Sequence, residues 1–205
     1  MAGPTAAIAV ATGEAFVMPK SYFSADIGKL TQIVANMFTQ VVQHNDRLPT
    51  GAQKPTRFHS RAPPNISISE YMLRITKYAS LEPACLLLLL IYVDRICERN
   101  PTFTISSLTV HRFLIAASTV ACKTLCDAYC TNSHYAKVGG ISMHELNSLE
   151  VEMLRMMGWH LIATQEQLEQ YYFTLVRQDP RLVLESELDT IPGVAPLQGP
   201  NSAAG

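Results

Sequence analysis

The sequence predicts an all-α protein, and three observations predict it. Apolar residues recur at three- and four-residue steps through most of the chain. Ser or Thr followed three residues later by Glu or Gln opens three of those stretches, at Ser67/Glu70, Ser142/Glu145 and Thr164/Gln167. No stretch alternates apolar and polar residues as a half-buried strand would.

The 205 residues suit one domain with a sizeable core, at 48% hydrophobic and 16% charged. The prolines gather outside the apolar segments, so the middle is expected to fold and the ends to be flexible. Residues 1–20, Ala, Gly, Thr and Pro without a sustained period, read as a flexible lead. Within 21–45, Ile27, Leu30, Val34, Met37 and Val41 mark one face of an N-terminal amphipathic helix. Residues 46–66 carry Pro49, Gly51, Pro55, Pro63 and Pro64 and read as a long surface loop.

The main helical unit is expected over 67–178. Its first helix starts at the Ser67 cap and turns Ile68, Met72, Ile75 and Ala79 to one side. Pro83 suits the first turn of the second, which runs to Arg99 before Asn100 and Pro101 stop it. The run ACLLLLLIYV from Ala84 to Val93 has no polar face. It is far shorter than the roughly 20 residues that span a bilayer, so it predicts a buried helix and no membrane partner. A third helix is expected over 106–128, kept slim by Ala116, Ala117, Ser118, Ala121 and Cys122. TNSHYAKVGG reads as a loop whose Gly139-Gly140 turn feeds the Ser142 cap. Leu146, Leu149, Met153 and Met157 then face inward on a helix stopped by Gly158, and a last helix carries Leu168, Tyr171, Tyr172 and Leu175 to Asp179-Pro180. Residues 179–205 read as a flexible tail.

Chemistry is mostly absent. Sixteen basic against 17 acidic residues supply no basic field, so nucleic acid is not an expected partner. No phosphate-cradling or common hydrolytic signature occurs, which predicts no catalytic residue, no cofactor and no small-molecule substrate. No Lys or Arg precedes Lys20, and the odd set of five cysteines fits thiols kept reduced in nucleus or cytoplasm. Cys122, Cys126 and Cys130 stand four apart on one helical face. Structural zinc draws close-set ligands from two separate elements, and no CxxC occurs, so packing thiols rather than a metal are expected. Two charges stand out. Lys123 interrupts the small-residue helix ASTVACKTLCDAYC, and Glu150 lies between Leu149 and Val151. Residue by residue, Lys123 reads equally as an outward-snorkelling side chain or as a group aimed at a partner, whereas Glu150 reads first as part of a solvated helix face.

Three stretches, SISEYMLRITKYASLEPACLLLLLIYVDRICER, SSLTVHRFLIAASTVACKTLCDAYC and HYAKVGGISMHELNSLEVEMLRMMGWHL, together resemble the cyclin family, and more closely its P/U-type members, over about residues 66–161. The resemblance implies a single cyclin box of five helices with the additional N-terminal helix beside it. It implies a non-catalytic regulator of a Ser/Thr protein kinase, whose partner is a cyclin-dependent kinase. In that family a Lys of the third helix and a Glu of a later one grip the kinase just before its αC helix, and Lys123 and Glu150 occupy the matching positions. Tyr135, Val138 and Ile141 are candidates for the apolar part of that surface, and Asp127 either caps local structure or reaches the kinase. Asp94-Arg95 and His111-Arg112 match family positions expected to fix helix packing. The Met-Arg-Ala-Ile-Leu substrate patch of cell-cycle cyclins is missing from YMLRITKYA, and too few residues follow Pro180 for a second box. The competing readings are a cyclin-like adaptor in transcription or nucleic-acid binding, and a small thiol-dependent helical enzyme.

Overall fold

Most of the helices, though not the central one, begin where the chain offers their first free N–H groups an acceptor or removes one of them. In the computed structural model, which describes residues 16–48 and 55–188, α1 (Ile27–Asn45) starts at Asp26, whose carboxylate accepts from the Lys29 amide at 2.7 Å. Ser67 and Glu70 form the reciprocal capping box of α2 (Ile68–Ala79). Pro83 opens α3 (Pro83–Arg99), where its missing N–H costs nothing. The central α4 (Val110–Leu125) follows, then α5 (Asn132–Gly139), α6 (Met143–Met156) capped by Ser142, and α7 (Gln165–Gln178) with the Thr164/Gln167 capping box. A single turn, α8 (Glu185–Leu188), closes the described chain.

The core forms where α3 and α4 pack together. Cys85 to Tyr92 of α3 and Phe113 to Cys122 of α4 are buried without a break, which is why neither run shows a polar face. Helix α4 also touches α2, α5 and α6, while α1 covers α2 and part of α3. The slim Ala116, Ala117, Ser118 and Ala121 let these neighbours approach α4 closely. Among the described residues no helix is long and apolar enough to cross a membrane.

Four local expectations need correction. Helix α4 is shorter than 106–128: Thr109 Oγ1 accepts from the Ser106 amide at 2.8 Å and holds a turn before the helix, and Cys126 is already extended. TNSHYAKVGG is not a loop but largely α5, which Thr131 caps and Gly140 ends at φ +69°. Gly139 permits close packing there, since a Cβ at this position would come within 2.6 Å of Ile115 Cγ1. The N-terminal helix begins at Ile27, preceded by a 3₁₀ turn at Tyr22–Ser24.

The fourth correction concerns the ends. Phe16–Met18 forms a strand, β1, that pairs in parallel with β2 (Leu182–Leu184), Phe16 opposite Leu182 and Met18 opposite Leu184. Met18, Val183 and Leu184 are buried, and Tyr172 of α7 donates its hydroxyl to the Pro19 carbonyl at 2.8 Å. The remaining parts of the expected lead (1–15), loop (49–54) and tail (189–205) lie outside the described residues.

Candidate functional site

The last turn of α4, the start of α5 and the middle of α6 meet at one edge of the bundle. Because α6 lies along the slim face of α4, Lys123 and Glu150, 27 residues apart, come together. Lys123 Nζ donates to Glu150 Oε1 at 2.6 Å, with the two side chains 29% and 15% exposed. Asn132, the first residue of α5, donates to Glu150 Oε2 at 2.8 Å and to Asn147 Oδ1 at 2.7 Å. The carboxylate is thus held at both oxygens in one orientation. The ammonium still has donors to spare and each carboxylate oxygen a second lone pair. The arrangement presents a fixed acceptor beside a partly free donor, which suits recognition of a backbone segment offering both amides and carbonyls.

Asn132 is the residue that sequence reading missed. It lay in the segment read as a loop, although Thr131 as a cap and Gly140 as a stop were signals for a short helix. Asp127 is exposed in the turn after α4, and Ile141 is half-buried between α5 and α6. Tyr135 and Val138 are corrections. Helix formation turns Tyr135, Ala136, Val138 and Gly139 inward, leaving Tyr135 at 0% and Val138 at 8% exposure, so both support the edge from inside the core rather than lining a surface. The large apolar side chains that do reach solvent here are Tyr129 in the α4–α5 turn and Met143 and Val151 of α6.

The other paired positions tie elements together separately. Tyr171 of α7 donates to Asp94 Oδ2 at 2.7 Å, and burial, followed by the Asp94 carboxylate, pushes its hydroxyl pKa well up, so the proton stays in that bond. Arg95 donates to the carbonyls of His160 and Ile162 at 2.9 and 3.1 Å, holding the α6–α7 connection. That connection turns sharply, with Gly158 and exposed Trp159 both in the left-handed region. His111 Nε2 lies 2.9 Å from the Ile66 carbonyl, and burial draws its pKa below the ordinary histidine value. The neutral ring therefore donates from Nε2. Arg112 donates to the carbonyls of Arg57 and His59 at 3.1 and 2.6 Å and pairs with Glu145 of α6.

Comparison with known proteins adds to this geometry. A family model described as Cyclin matches residues 28–161. The chain is 41% identical over 175 residues to the Nuc-1 negative regulatory protein preg of Neurospora crassa, covering 82% of this chain and 36% of the relative. It is 42% identical over 154 residues to the PHO85 cyclin PHO80 of Saccharomyces cerevisiae, covering 71% of this chain and 53% of that protein. Cyclin-U4-1 of Arabidopsis thaliana is 36% identical over 169 residues, covering 81% of this chain and 83% of the relative. The chain thus spans about a third and about half the length of the two fungal relatives, and most of the plant one.

Proposed function

Since the chain belongs to the cyclin family and is similar to its U- and P-type members, we propose that it is the regulatory, non-catalytic subunit of a cyclin-dependent Ser/Thr kinase and activates that kinase by positioning its αC helix. The printed names of the yeast relatives, PHO85 cyclin PHO80 and PHO85 cyclin-like protein psl1 of Schizosaccharomyces pombe, support a kinase of the PHO85 kind. The printed name of the Neurospora relative, a negative regulatory protein, supports a regulatory role, and the five cysteines fit a reducing compartment, nucleus or cytoplasm.

The observation that carries the reading is the orientation of Glu150 by Lys123 and Asn132 at one solvent-reaching edge. In the proposed complex Lys123 donates to carbonyls of the segment before αC and Glu150 accepts from its amides. Tyr129, Val151 and half-buried Ile141 supply apolar area around the charges. Pressing αC inward brings its glutamate to the strand-three lysine that holds the ATP phosphates. Binding energy made by this chain thereby pre-arranges a catalytic group that belongs to the partner.

Affinity capture with the full chain, followed by a phosphotransfer assay of the eluate, tests the proposal. Kinase activity is expected to elute with the wild-type chain and to drop at least about tenfold with Asn132→Ala, which frees the Glu150 carboxylate. Equal kinase retention by the variant would remove the Glu150 edge from the interface.

A further inference from the structure

The cysteine that completes a cluster with Cys122 and Cys126 is not Cys130 on their own chain segment but Cys85, from the first turn of α3. The three sulphurs lie within 4.8 Å of one another, and the Cys85 and Cys126 sulphurs are 3.7 Å apart. Cys85 and Cys122 are buried at 0% and 2% exposure, while Cys126, at the C-terminal cap of α4, is partly open. Two separate elements thus present close-set sulphur donors, the condition that spacing within one helix does not meet.

A second observation points at the same place. Tyr135 is fully buried and its hydroxyl finds no hydrogen-bond partner within ordinary limits. The neighbour of that hydroxyl is the Cys122 sulphur, which stands beyond an ordinary hydrogen bond. A buried, unpartnered phenol beside a sulphur is a donor available to a thiolate ligand there.

We propose that Cys85, Cys122 and Cys126 form a three-sulphur site for a soft monovalent metal ion, Cu(I), between α3 and α4, with the Tyr135 hydroxyl donating to the Cys122 ligand. Metal–thiolate bonds of about 2.3 Å in a trigonal plane place sulphurs about 4.0 Å apart, close to the separations already present. Thiolate donors select soft ions. Zn(II) takes four ligands, and no fourth Cys, His, Asp or Glu joins this group among the described residues. Each sulphur that ligates as thiolate releases one proton, and no electron transfer is involved.

The test is anaerobic titration of the reduced full chain with Cu(I) against a chromogenic chelator. One equivalent should bind, with sulphur-to-copper absorption in the ultraviolet. Cys126→Ser should weaken binding at least about tenfold, and Cys97→Ser with Cys130→Ser should leave it unchanged. No uptake, an equal loss in the Cys97/Cys130 variant, equally strong Zn(II) uptake, or recovery of a Cys85–Cys126 disulfide would each overturn the assignment. X-ray absorption of the copper-loaded wild-type chain makes the test independent of variant folding: three sulphurs at about 2.3 Å are expected, and a nitrogen or oxygen shell overturns the site.

Discussion

At the residue scale, Lys123 and Glu150 show why charged side chains in apolar helices resist reading one at a time. Lys123 could be read either way and Glu150 looked first like a solvated group, because the 2.6 Å contact joins helices far apart in the chain and no spacing rule connects them. Being partly exposed, the pair is screened, so Glu150→Gln should change stability by no more than about 1 kcal/mol while kinase association falls. Thermal unfolding and kinase capture on the same sample check both halves. His111 carries the pH dependence. Its folded pKa lies below the unfolded value, so on acidification the unfolded chain takes up the proton first, at about 6.5. The contribution is therefore fully present above that pH and lost as pH falls toward the folded pKa. The melting temperature should drop between about pH 7.5 and about pH 5.5, and drop less in His111→Asn. An equal drop in the variant would place the dependence elsewhere.

Among elements, those with capping signals were legible, because a cap is a local hydrogen bond between residues three apart. Ser67, Ser142 and Thr164 marked α2, α6 and α7, and Pro83 marked α3. Ser67→Ala should cost about 1 kcal/mol in urea unfolding. Helix α5 was missed for a physical reason: at eight residues it is too short to display an apolar stripe, and its glycine pair looks like a turn. Half of that pair is a packing device. Gly139→Ala should destabilise by about 1–3 kcal/mol, since Ile115 stands where the methyl would go, and an unchanged denaturation midpoint would contradict the close approach of α4 and α5. The error over α5 also explains the error over Tyr135 and Val138, which a loop leaves free to face a partner and a helix turns inward.

For the whole molecule, the helical unit and its extra N-terminal helix were readable from periodicity, whereas the β1–β2 clasp was not. Three-residue strands from opposite ends of the chain carry no alternation long enough to detect. Met18, buried on β1, and the Tyr172 hydroxyl bond to Pro19 fasten this segment over α7. Met18→Ala should therefore destabilise the fold by about 2–5 kcal/mol in chemical denaturation, as a core residue and not as a flexible end would. Where α4, α5 and α6 meet, Lys123 and Asn132 hold the Glu150 carboxylate, and in the proposed complex this edge faces and activates a kinase. The most direct measurement is the phosphotransfer rate of a purified cyclin-dependent kinase of the PHO85 kind with the wild-type chain and with Lys123→Glu/Glu150→Lys, which exchanges the charges but can keep the internal ion pair. Activation by the wild-type chain and none by the exchanged one, at equal melting temperature, is the predicted result; equal activation by both would contradict it.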